Sequence, residues 1–151
     1  MDPKIELLRH MLATIAYRTA KALRDTPPGF ADYQVFGGTR SPAQLLTHMG
    51  DLFEWTLSIL EGNPEWREAP PLAWDQEVRR FFTSLQRVDD LLSSGRLATC
   101  SIERLLQGPF SDALTHAGQV LMLRRMAGSP VRGENYFRAE ISAGRLGPIP
   151  L

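Results

Sequence analysis

The chain has little of what would assign it quickly. Cys100 is the only cysteine among 151 residues, so no internal disulfide can form, and a reducing, cytoplasmic setting is expected. No stretch of about 18 apolar residues occurs, which argues against a membrane-spanning helix. The opening MDPKIELLRH carries charges where a secretory leader needs an apolar core, so no signal peptide is expected. Neither sign of charge prevails, with Lys+Arg and Asp+Glu at 17 each. Without a basic excess to neutralise phosphates, nucleic acid is not an expected partner. Gly37-Gly38 lacks the lysine-serine ending of a phosphate loop, and there is no Gly-x-Ser-x-Gly elbow. Cys100 has no cysteine or histidine near it in sequence and reads as structural or incidental. Neither an internal repeat nor a low-complexity tract is present. A single soluble domain over residues 1–151 remains, its last eight or so residues a loose tail.

What is present is helical periodicity. Ile5, Leu8, Leu12, Ile15 and Ala22 recur at helical spacing and predict an amphipathic helix over 3–24, stopped by Pro27-Pro28-Gly29. Ser41-Pro42 reads as an N-cap followed by proline at the first helical position. From there Leu45, His48, Leu52, Trp55 and Ile59 mark an apolar stripe that ends at Gly62-Asn63-Pro64. A proline-rich connection follows, then Val78, Phe81, Leu85, Val88 and Leu92 predict a third helix over about 74–93. Arg79, Arg80, Gln86 and Asp90 on its other side read as solvated. Ile102–Gln107 is expected to make a short turn of helix before Gly108-Pro109, and a fourth long helix to run from there to Ala127. Four helices without an alternating strand pattern predict an all-α four-helix bundle. Tyr17, Trp55, Tyr136 and Phe137 read as packing aromatics.

Two histidine-carboxylate clusters carry the chemistry. Asp112 and His116 are four apart, so on a helix they share one face. His48 stands on the apolar stripe of another helix, where an imidazole must be satisfied by a polar partner or by a metal. If the two helices face each other, His48, Asp112 and His116 converge on one divalent cation. The spacing also allows an ordinary ion pair between Asp112 and His116 near a helix N-terminus. Asp51, one turn from His48, is a candidate for a fourth ligand or for an acceptor that fixes an imidazole tautomer, and equally for a solvated charge. Gln119, one turn after His116, is placed to line the pocket or to bond across helices. His10 lies opposite its helix's apolar stripe and reads as a surface residue.

HMGDLFEW (48–55) and THAGQVLMLRRMAG (115–128) resemble the His-x-x-Asp-x-x-x-Trp helix and the His-x-Gly-Gln-x-x-x-Leu-Arg-x-x-x-Gly ending of the DinB/YfiT-like superfamily of metalloproteins. The likeness spans almost the whole chain. It implies an up-down-down-up four-helix bundle, often a homodimer, with three histidines holding zinc or nickel in a solvent-open pocket. Two of those histidines fall on His48 and His116. The third falls on Asp112, and a carboxylate there suits zinc and equally manganese or iron. The resemblance implies a metal-dependent enzyme acting on a small molecule, of thiol S-transferase or hydrolase type. The alternative is a non-catalytic stress-response module that binds a ligand or partner on the same bundle.

Overall fold

Two of the long helices open on residues that satisfy their first free amides. In α1, Pro3–Leu23, Asp2 Oδ1 accepts from the Lys4 amide at 2.9 Å, with proline in the first turn. In α2, Pro42–Leu60, the Gln44 amide donates to Ser41 Oγ at 3.2 Å while the Ser41 amide donates to Gln44 Oε1 at 2.9 Å. That reciprocal pair fixes where α2 starts. The third helix, α3, Trp74–Ser94, ends on Gly95, whose φ of 68° is a left-handed turn that favours glycine. The computed structural model describes residues 1–147, and among these the chain is all-helical with no strand.

The fourth helix departs from the expected break at Gly108-Pro109. A short helix, α4, Ile102–Leu105, widens into one π-helical turn, Leu106–Phe110, and continues directly as α5, Ser111–Met126. Proline has no amide to donate and crowds the carbonyl one turn back. The wider turn accommodates both defects, and Ser111 Oγ donates to the Leu106 carbonyl at 2.6 Å. Pro109 and Phe110 are buried as a result.

The core draws on all four long helices: Leu12 and Ile15, Met49 and Phe53, Phe81 and Leu85, Ala113 and Val120. The Phe53 ring meets Phe81 and Phe110 edge-on at 5.8 and 5.5 Å, an arrangement that adds about 0.5–1.5 kcal/mol per pair beyond area burial. In α2 the most buried line is Leu46, Met49, Phe53, Thr56 and Leu60. His48, Trp55 and Ile59 are only half-buried, so the stripe read from the sequence follows the flank of the buried face. Polar Thr56 belongs to the buried line because its hydroxyl donates to the Leu52 carbonyl at 2.8 Å.

Helix α2 packs on α3 and α5, and α1 packs on the same two. Between α2 and α3 the side-chain pairs advance together: Thr47 with Glu77, Asp51 with Arg80, Glu54 with Arg87. Between α2 and α5 they run in opposite order, with Leu45 beside Leu123, His48 beside Asp112, and Phe53 beside Phe110. Arg80 is thus drawn out of the solvated face assigned to it, because Asp51 is buried at 3% exposure and needs a cation. Lys4 pairs with Glu103 near the start of α1, and Arg124 reaches the end of α1.

Arg124 is buried without a carboxylate partner. It donates to the carbonyls of Ala22, Arg24 and Ser129 at 2.9, 2.7 and 2.9 Å. These include terminal acceptors of α1 that would otherwise be orphaned. Burial lowers its pKa, but a guanidinium stays charged, and the negative end of a helix is a favourable place for it.

After α5, one short helical turn spans Tyr136–Arg138. Phe137 is 96% exposed there and packs on nothing, unlike Tyr136, which meets Tyr17 edge-on at 6.3 Å. Of the tail expected to be loose, residues 144–147 are described and Leu146 is buried in the core. Residues 148–151 lie outside the described residues. No helix of the described residues is long and apolar enough to cross a membrane.

Candidate metal centre

The antiparallel register of α2 and α5 brings His48 against the first turns of α5. His48 Nε2 lies 3.3 Å from Asp112 Oδ2, and His116 Nε2 lies 3.3 Å from Asp112 Oδ1. The two imidazoles meet edge-on, with centroids 4.9 Å apart. One donor atom from each of His48, Asp112 and His116 falls within 4.8 Å of the others. The Asp112 carboxylate is the most accessible member at 45% side-chain exposure, against 22% for His48 and 11% for His116. The group is a half-open pocket wall rather than a buried cage.

The arrangement of donors is compatible with metal ligation. His116 Nδ1–H donates to Gln119 Oε1 at 2.7 Å. A carbonyl oxygen only accepts, so in the neutral imidazole the free lone pair is on Nε2, aimed at Asp112. Two acceptors cannot face each other at 3.3 Å unless a proton or a cation lies between them. Charge-assisted N–H···O bonds close to about 2.7–2.9 Å. Two ligands on one tetrahedral ion, each about 2.0–2.1 Å from it, stand about 3.3–3.4 Å apart. The His48–Asp112 separation lies within hydrogen-bond reach as well as within the spacing of two ligands on one ion, and the donor set of two imidazoles and one carboxylate can hold zinc, manganese or iron as well as nickel.

The other candidates separate clearly. Gln119 orients His116 from within the same helix rather than bonding across helices. Asp51 lines the cleft beside His48, but its Oδ1 accepts from Arg80 Nη2 at 2.6 Å and from the Ala69 amide at 3.3 Å. It bonds neither imidazole of the cluster. Arg80 also donates to the Thr47 carbonyl, the residue before His48, at 3.2 Å, so Asp51 supports the site's backbone. His10 is exposed on α1. Cys100 is half-buried, and burial pushes its thiol pKa up, the reverse of an activated nucleophile.

Sequence reasoning passed over Trp66. It rises from the connection after α2, its ring 5.8 Å from His48 and 5.8 Å from Trp55, and forms an aromatic wall over the first imidazole. The available signal was a large aromatic in a proline-rich, otherwise polar loop, a position where packing gives it no evident reason to be. Two clefts flank the cluster. One of about 620 Å³ contains His48, Thr47 and Asp51; the other, of about 430 Å³, contains His116 and Gln119. Comparison of the chain with known protein families, with curated proteins and with solved structures gives no match.

Proposed function

We propose that this chain binds one divalent cation through His48 Nε2, the Asp112 carboxylate and His116 Nε2, and uses the cation's open positions to act on a small molecule. The observation that carries this reading is the convergence of one donor atom from each of His48, Asp112 and His116 to within 4.8 Å of the others, with His116 Nδ1 on Gln119 Oε1 and its Nε2 toward Asp112. Three protein ligands with solvent access on one side is the arrangement associated with catalytic rather than closed structural sites. A cation held there supplies Lewis acidity to a water or a thiol, which suits hydrolysis or thiol transfer. The residues' part is to fix the donor directions: Gln119 sets the His116 tautomer, Trp66 confines the His48 ring, and Asp51 with Arg80 stiffens the middle of α2.

The order of the interhelical contacts supports an up-down-down-up bundle of the DinB/YfiT-like kind, with α2 and α3 running together and α5 opposed to α2. That likeness also underlies our reading of the chain as a homodimer in the cytoplasm, with zinc or nickel as the first metals to test. A molar mass of one chain by light scattering would remove the dimer.

Elemental analysis of protein purified without an affinity tag should find close to one metal per chain. His48→Ala should lose it while keeping its helical circular dichroism. No metal in the parent, or full retention in the variant, rejects the site. Incubating the metal-loaded protein with a low-molecular-weight thiol and 1-chloro-2,4-dinitrobenzene then separates enzyme from binding module. Metal-dependent turnover supports the transferase, and binding without turnover supports a non-catalytic module.

A further inference from the structure

Arg40 is the one cationic side chain that lines both clefts beside the cluster. It is exposed, and the ion pairs and side-chain hydrogen bonds of the described residues, which occupy Arg9, Arg80 and Arg124, do not include it. A guanidinium beside a candidate metal site, with no partner of its own, can receive a planar anion by two parallel N–H···O bonds.

The two clefts differ in what else they present. The larger one sets Asp32 and Glu68 around Arg40, and both would repel an anion. The smaller one has no acidic residue in its wall; beside Arg40 it offers Leu45, Met122 and Leu123, with His116 also in its wall. Met122 is 52% exposed, a large apolar side chain left to solvent on the lip of the cleft. A flexible thioether there suits an apolar ligand of variable shape. One charge, one apolar wall and one ligand-bearing imidazole therefore share about 430 Å³, enough for a small organic molecule.

We infer that the smaller cleft takes an organic acid, with its carboxylate on Arg40, its apolar body along Leu45, Met122 and Leu123, and its far end beside His116. This names the substrate class of the metal site and rests on the cation reading given above. Carboxylate recognition at Arg40 leaves the opposite end of the molecule for the reaction, so the acid is a handle and not the reacting group.

The test is calorimetric titration of the zinc-loaded protein with hexanoate, hexan-1-ol and hexylammonium, with zinc per chain counted on the same samples. Hexanoate should bind at least about tenfold tighter than the alcohol, and hexylammonium should not bind. Arg40→Gln should reduce hexanoate to the level of the alcohol with zinc still at about one per chain, and Met122→Glu should weaken hexanoate through repulsion at the wall. Arg40 and Met122 are both exposed, so neither variant disturbs the core. Equal affinity for acid and alcohol overturns the proposal. So does hexanoate binding that survives Arg40→Gln but vanishes on removing zinc, because the acid then sits on the metal. A zinc count of zero fails the cation reading separately. The acid-to-alcohol ratio and its loss in Arg40→Gln, measured on that zinc-free sample, would still decide the Arg40 site.

Discussion

His116 and Gln119, three residues apart on α5, are joined by an Nδ1–H···Oε1 bond of 2.7 Å, and this bond sets which ring nitrogen faces Asp112. An acceptor on the far nitrogen typically changes metal affinity by 10- to 100-fold when removed. Gln119→Ala should therefore raise the zinc dissociation constant by about that factor, measured by competition with a chromophoric chelator. Gln119→Glu keeps an acceptor at the same place and should bind zinc at least as well as the parent. Equal affinity in all three proteins would show that Nδ1 has no part in the site.

Asp112 contributes an oxygen donor to each imidazole's side of the cluster. Asp112→Ala removes the charge and the central donor together, and less than about 0.2 metal per chain should remain by elemental analysis. Asp112→His supplies a third imidazole, a donor set suited to nickel and zinc and poorly suited to manganese. It should retain one metal per chain and lose any manganese binding the parent has.

Trp66 lies 5.8 Å from the His48 ring and is 42% exposed. A paramagnetic ion bound by His48 would stand close enough to quench its emission. Titration with nickel should lower tryptophan fluorescence saturably at one equivalent, and Trp66→Phe should abolish most of that change. A Trp66→Phe protein quenched like the parent would place the ion away from this wall.

The helices and the Asp112/His116 pair were legible because each depends on local spacing: a cap at Ser41, apolar residues at helical intervals, and a carboxylate and an imidazole one helical turn apart. His48 was legible as a polar residue with apolar neighbours, although its helix is rotated so that Met49 and Phe53 take the centre of the core. What escaped depends on distant chain segments. Trp66 reaches the site from a loop without periodicity. Arg80 looked solvated until α2 placed a buried carboxylate against it. Gly108-Pro109 read as a break because proline usually ends a helix, yet one wider turn carries the chain through with Phe110 buried.

Asp51 and Arg80 form a pair in which the carboxylate is 5% and the guanidinium 19% exposed. Removing one partner of a buried ion pair costs about 3–5 kcal/mol, since the other charge is left without compensation. Asp51→Ala should lose stability of that order in urea unfolding. The double variant Asp51→Ala, Arg80→Met should recover much of it. Both should still bind metal once folded, because neither group touches the imidazoles. Loss of metal from the folded double variant would make Asp51 a direct participant.

Glu134 fastens the segment after α5 to α1, accepting from Lys21 Nζ at 2.8 Å and from the Tyr17 hydroxyl at 2.9 Å. The Lys21 hydrogen bond, reinforced by that of Tyr17, holds the Glu134 carboxyl below its ordinary pKa, and the same contact raises the Tyr17 hydroxyl. A carboxyl with a depressed folded-state pKa stabilises the fold above the unfolded value, and the contribution disappears as pH falls through the folded value. The attachment is therefore complete at neutral pH and is lost in acid, below the usual carboxylate range. Lys21 and Glu134 keep 15% and 30% of their side chains exposed, so solvent still screens the pair and its worth is about 1 kcal/mol. Glu134→Gln at neutral pH should increase amide exchange across residues 134–147 several-fold while leaving α2 and α3 unchanged. The same variant should remove the acid-dependent step from a pH series of protection factors. Exchange in 134–147 that is identical in parent and variant at every pH would mean that Leu146, and not this ion pair, holds the segment down.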